Sequence, residues 1–322
     1  VVKLLKVVSA RPTVGIDVGE DFLDLAIVDD AAKHLRLARV AVAGIERDTN
    51  GGDGRVGGAI DELRRRMLLA APELSASGAI ALVDSPRSPR DVDLAEGIGE
   101  ARRIAGASGG RAIDLALREL VGRLGLRKAG GGPFSLSLFP TPQIRYFAAC
   151  VRDSRCKGHL AALGRALFGN EIDDASAGIA PAGGHIFTRF MLTGFAAYRA
   201  IDGVGVESYE AYPDLAFRLW ASGAEIPPKG AGRSALAARV GITRRLADEL
   251  GCEGATQIMT LDVADAAVLA LSAVKARHGG EIVLIEGAGV GRFALAIDSD
   301  QAERSGFIAA THALKLVKYG LT

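Results

Sequence analysis

The sequence predicts an α/β fold built on a mixed sheet, and three features carry that expectation. Residues 13–29 (TVGIDVGEDFLDLAIVD) hold two apolar runs on either side of Gly19-Glu20-Asp21, the pattern of a strand, a tight turn and a second strand. Residues 79–83 (AIALV) are a continuous apolar run, as in a parallel strand covered on both faces. Residues 260–275 (TLDVADAAVLALSAVK) are apolar on nearly every side of a helix, which predicts a helix buried among other elements.

The 322 residues are 49% hydrophobic and 24% charged, an ordinary globular composition. That length suits one large α/β domain or two smaller ones; a single domain over 1–322 is expected, with 91–200 as a mainly helical insertion. A net charge of +1 gives no global positive field, so any nucleic-acid binding must rest on local patches. Aromatics are only 5%, so stacking platforms for single strands are sparse. The three cysteines, Cys150, Cys156 and Cys252, fit no CxxC spacing, which points to a reducing compartment without disulfides, and a cytoplasmic location is expected. No apolar run is long enough for a transmembrane helix, and the first ten residues are too short and too evenly charged for a signal peptide.

In chain order, residues 35–43 (LRLARVAVA) alternate like a third strand and complete an antiparallel meander. Ile60, Leu63, Met67 and Leu68 share one face of a helix over 58–70, and Arg64, Arg65 and Arg66 mark its solvated side. The run at 79–83 ends on Asp84 and the Pro-rich SPRSPR. Helices are expected over 112–124, 155–168 and 186–201, and a short strand over 134–142. His159 and His185 lack ligand spacing and are expected to be structural or solvated. Residues 204–212 (VGVESYEAY) read as a strand whose Glu207 and Glu210 point to opposite faces, and Pro213 opens a helix. Two short helices are expected over 233–240 and 244–251, with Gly251 as a stop. Late strands are expected over 281–286 and 292–297, followed by a helical tail.

Asp17 is out of place among Val14, Ile16 and Val18, because a buried carboxylate is costly unless it pairs or holds a metal. Asp84 and Glu210 also stand at or near strand ends, and Asp265 lies near the start of the buried helix among Ala264, Ala266 and Ala267, whose small side chains allow close approach to a sheet. Adjacent strands are about 4.8 Å apart, so acids at one end of neighbouring strands converge. Such a group needs a counter-charge. All-oxygen donors without Cys or His suit Mg²⁺ or Mn²⁺, and a pair of such ions activates water for phosphodiester hydrolysis.

Together the GIDVG hairpin, the ALVDSP strand end, the EAYP segment and the DVADAAVLALSA helix resemble the domain-of-unknown-function 429 family, from about Val14 to Ala276. Its members are regarded as predicted nucleases of the RNase H-like (RuvC-like) superfamily. The resemblance implies a five-stranded sheet of order 3-2-1-4-5, with strand 2 antiparallel to its neighbours and helices around it. It implies catalytic roles for Asp17, Asp84, Glu210 and Asp265, with Asp17, Asp84, Asp265 and Asp262 as metal ligands. Nucleic acid is the expected partner, and Arg87, Arg90, Lys229 and Arg233 are candidates for gripping its backbone. The same hairpin also resembles the actin-like sugar kinase and ATPase superfamily, in which Asp17-Val18-Gly19 would meet nucleotide phosphates and residues 283–292 (VLIEGAGVGR) would form a late glycine loop. A non-catalytic nucleic-acid or ligand-binding protein on the same fold is the third possibility.

Overall fold

The computed structural model describes residues 2–5, 11–45, 58–76, 78–87, 117, 121–122, 158–168, 186–286 and 292–298. The opening hairpin is its centre. Strands β2 (Thr13–Val18) and β3 (Phe22–Asp29) pair antiparallel, and the Gly19 N–H closes the turn on the Phe22 carbonyl at 2.9 Å. β4 (His34–Ala41) completes the meander against β3. On the other side β2 pairs parallel with β5 (Ile80–Asp84), and β5 pairs parallel with β6 (Glu207–Glu210).

The order β4-β3-β2-β5-β6 reproduces the expected 3-2-1-4-5, with β3 antiparallel to both neighbours. The sheet does not stop at five strands, however. The late strands β7 (Gly280–Glu286) and β8 (Arg292–Asp298) join it, β8 beside β6, and β1 (Val2–Leu5) closes the far edge against β7, giving eight. β1 escaped sequence reading because four residues carry almost no periodicity of their own; its partner β7 lies at the other end of the chain.

Helices cover both faces. α1 (Gly58–Ala70), α2 (His159–Phe168) and α3 (Ile186–Asp202) pack on the face formed by Val14, Ile16, Val18, Leu23, Leu25, Ala81 and Val83. α4 (Pro213–Trp220), α5 (Arg233–Leu250) and α6 (Leu261–Gly279) pack on the opposite face, with Ala26, Val28, Ile80, Leu82 and Tyr209. α6 lies between the sheet and α5, which is why it is apolar nearly all round. α2 and α3 lie where helices are expected at 155–168 and 186–201; most of 91–200, with the segments expected at 134–142 and beyond 299, lies outside the described residues.

The two short helices expected over 233–251 are one helix, α5. Gly241 interrupts the sequence pattern but not the helix, because the cost of an interior glycine, about 1 kcal/mol, is small against the packing of Ile242, Leu246 and Leu250. Gly251 ends α5 as expected, in the left-handed region (φ 67°). No described helix is long and apolar enough to cross a membrane.

One contact sets the distance between α6 and the sheet. A Cβ added at Gly15 would lie 2.0 Å from the Ala266 carbonyl oxygen and 2.9 Å from the Ala270 nitrogen. Both are backbone atoms and cannot swing aside. Gly15→Ala is therefore expected to cost about 1–3 kcal/mol or more by forcing helix and sheet apart, whereas Gly241→Ala, where nothing lies within 4 Å, should gain about 0.5–1 kcal/mol. Urea unfolding of the two variants checks both the signs and the contrast.

Candidate functional site

The hairpin and the parallel pairing fix the first carboxylates. Asp17 is the register partner of Asp24 across β2/β3 and of Asp84 across β2/β5. Three aspartates thus stand side by side on adjacent strands, on the face that α6 covers. Like charges directly opposite one another destabilise a sheet unless something neutralises them. Gly15, two residues before Asp17 on the same side of β2, is where α6 touches down, and the first turn of α6 accordingly hangs over Asp17. That turn carries Asp262, and Asp265 follows three residues later on the same side of the helix. The Thr260 hydroxyl caps it, accepting from the Val263 N–H at 3.2 Å, and the positive end of the helix dipole points into the acids.

Two overlapping groups result, each with ligand oxygens within 4.8 Å of one another: Asp17, Asp84 and Asp265; and Asp17, Asp24 and Asp262. Asp265 is wholly inaccessible to solvent, Asp17 and Asp24 are buried, Asp84 is half-buried and Asp262 is exposed. Burial, reinforced by the charges of Asp84 and Asp265, pushes Asp17 up to about 9. Burial also raises Asp84 to about 7, against the pull of Lys229, and it raises Asp265. Among the described residues the Lys229 ammonium is the partner of Asp265, through an ion pair with Oδ2.

Two cations answer this charge. Lys229, from the turn Lys229–Ala231, reaches Asp265 from the α5 side. Burial alone would lower its affinity for a proton, but the carboxylates of Asp265 and Asp84 outweigh that and hold it above the ordinary lysine range. The turn is held in turn by Arg239, a fully buried guanidinium that donates to the Pro227 carbonyl and to Asp214, each at 2.9 Å, and lies 5.4 Å over Phe217. Arg39 grips Asp24 with two hydrogen bonds of 2.8 Å.

The remaining expected residues lie elsewhere. Glu210 is the register partner of Val83, whose side chain faces α3, so Glu210 is on the opposite face of the sheet from Asp17 and Asp84. There its carboxylate accepts the Arg87 backbone N–H at 2.5 Å. Arg87 is buried: its Nη2 donates to both oxygens of Asp202 at 2.7 and 2.8 Å, its Nη1 to the Ser208 carbonyl and hydroxyl at 2.8 and 2.9 Å, and it stacks on Tyr198. It pins the loop after β5 instead of gripping a ligand. Tyr198 assists by donating to the Ser85 carbonyl at 2.8 Å. Arg233 is exposed at the start of α5; Arg90, His185 and the 287–291 glycine loop lie outside the described residues. The three arginines of α1 are engaged in ion pairs with Asp61 and Glu62. Asp24 and Arg39 were missed in the sequence, although hairpin symmetry about Glu20-Asp21 places Asp24 opposite Asp17.

A carboxylate raised by folding is stabilising below its unfolded pKa and loses that advantage as pH rises through its folded pKa. In the presence of a chelator the protein should therefore lose stability between pH 5 and 9, on the order of 1 kcal/mol per pH unit where Asp17 is forced to ionise. Asp17→Asn should flatten that slope, as urea unfolding at each pH would show. Arg87→Met, which removes the bidentate partner of Asp202 while leaving its bond from Ser208, should cost about 3 kcal/mol in the same assay.

No curated protein and no solved structure matches the chain. A family model, described as protein of unknown function (DUF429), matches residues 28–288. The match takes in Asp84, Lys229, Asp262 and Asp265 and begins after Asp17 and Asp24. Covering most of the chain, it shows that this protein belongs to the DUF429 family.

Proposed function

We propose that the protein is a metal-dependent nuclease of the RNase H-like superfamily, hydrolysing phosphodiester bonds at the acidic centre. The observation that carries this reading is Asp265: a carboxylate with no exposure, partnered among the described residues only by Lys229 at Oδ2, facing Asp17 and Asp84 with ligand oxygens within 4.8 Å. One lysine against three converging acids leaves negative charge in a buried setting, which a bound cation would offset. The donors are all carboxylate oxygens, which suits Mg²⁺ or Mn²⁺. The strand order β4-β3-β2-β5-β6, with acids at the ends of two adjacent parallel strands and a third set on a packed helix, supports the superfamily assignment.

Asp17, Asp84 and Asp265 would hold one ion, and Asp17, Asp24 and Asp262 are the residues that would hold a second. Bound there, divalent cations supply a water of lowered pKa and stabilise the charge on the leaving oxygen. The chain itself does the rest. The α6 dipole and the β2–β5 pairing inside the sheet hold the carboxylates in place. Lys229 neutralises Asp265 in the metal-free protein and, being half exposed, is the cation placed to meet a substrate phosphate once Asp265 is otherwise neutralised. Arg233, at the exposed start of the next helix, lies four residues further along.

Calorimetry with Mn²⁺ tests the reading first. Two ions should bind the wild type, and Asp84→Asn and Asp265→Asn should each weaken binding by about 100-fold or more, beyond the loss usual for outer-shell changes. Cleavage of fluorescent DNA and RNA oligonucleotides in Mn²⁺ should disappear in both variants. Metal binding that arises only after ATP is added would overturn this in favour of an actin-like ATPase or kinase.

A further inference from the structure

We propose that Phe22 and Arg39 form a stacking platform for an unpaired nucleobase at the edge of the acidic centre, which makes single-stranded nucleic acid the preferred ligand. This inference rests on the phosphodiesterase reading and specifies its substrate.

Among the described residues three large apolar side chains are exposed: Phe22, Leu69 and Met259. Two of them flank acids of a single group. Phe22 precedes Asp24 by two residues and so shares its face of β3, and Met259 precedes Asp262 by three. Leu69 is on α1, behind the sheet. Phe22 leaves 43% of its surface in water at the end of a strand whose next six residues are buried. A leucine or valine would satisfy that strand position at lower cost, and an exposed ring beside a phosphate-directed centre has a use that an aliphatic side chain lacks.

Arg39 makes the ring a defined surface. Its guanidinium lies 5.3 Å from the Phe22 centroid, and its two hydrogen bonds to Asp24 fix the plane. Because Asp24 already neutralises Arg39, the pair offers a flat, weakly charged π surface, not a phosphate clamp. Such a surface suits a planar heterocycle better than an acyl chain. The faces of bases are hidden in a duplex, which presents only their edges, so the platform selects unpaired bases. It is a local feature, in keeping with the low aromatic content of the chain.

The test is fluorescence anisotropy with a short labelled single-stranded oligonucleotide and its duplex, with Ca²⁺ as the divalent ion, alongside cleavage in Mn²⁺. Phe22→Ala should weaken single-strand binding about 10-fold or more, within the range that loss of one stacked base produces. Phe22→Trp should restore it, Leu69→Ala should leave it unchanged, and the duplex should bind more weakly and respond to none of these changes. The inference is overturned if Phe22→Ala binds single strands as the wild type does, or if the wild type prefers the duplex. It is also overturned if Phe22→Ala alters only the oligomeric state in sedimentation, which would make the ring a contact between copies. Cleavage of single strands and duplexes alike, unaffected by Phe22→Ala, would remove the platform and leave the nuclease reading standing. A wild type that neither binds nor cleaves oligonucleotides would remove both.

Discussion

Everything at this centre depends on how closely α6 lies on β2. Gly15 has no side chain, so the Ala266 backbone rests where a Cβ would be. The helix side of the contact is equally lean, with Ala264, Ala266, Ala267 and Ala270 all fully buried. A normal helix–sheet separation would leave Asp265 well above the strand ends. Close contact brings the first helical turn down onto Asp17, and that is what turns three strand aspartates and two helix aspartates into a single electrostatic unit. The alanines and the glycine are therefore part of the chemistry even though none of them carries a functional group.

That unit creates a problem of charge, and the rest of the fold is arranged around solving it. The strand register sets Asp24, Asp17 and Asp84 in a row, where repulsion is unavoidable. Internal cations sit at the two flanks: Lys229 on Asp265 and Arg39 on Asp24. Each is itself held, Lys229 through the Arg239–Asp214 pair beneath its turn and Arg39 by its paired hydrogen bonds. Asp17, in the middle, has no cation of its own among the described residues. It takes the largest upward shift, and it is the residue that both groups share. A bound cation is most valuable where the protein has left the charge uncompensated.

Much of the fold was legible because the core elements announce themselves over long runs. The meander, β5, α6 and the two late strands all carry clear periodicity, and Asp17, Asp84 and Asp265 stood out as acids in apolar surroundings. Glu210 looked equivalent, since it too ends a strand. Its side chain nevertheless faces the other way, because strand neighbours alternate and its register partner is Val83, not Asp84. Parity relative to a neighbouring strand is a property of pairing, and no single segment contains it. Arg87 was illegible for a related reason: its partners, Asp202 and Ser208, are more than a hundred residues away, so nothing nearby marks it as buried. Asp24 is the opposite case, a residue the hairpin register could have given.

The two faces of the sheet divide the work. On the α6 face lie the acids, their counter-cations and the exposed Phe22. On the α3 face, Glu210, Arg87, Asp202, Ser208 and Tyr198 tie down the loop that follows Asp84. Gly194 of α3 also lies against Ser85, so closely that a Cβ there would meet its hydroxyl at 1.8 Å. Asp84 is the member of the row with a free strand end behind it, and without that support it would fray with the loop. Glu210 and Arg87 thus act on the acidic centre through the backbone of residues 84–87, from the far side of the sheet. A substitution at either should loosen the position of Asp84 before it alters the charge of the site; under the proposed metal-dependent reading, their loss should appear as weakened metal affinity together with lowered stability, while a change at Asp84 itself should affect the metal first.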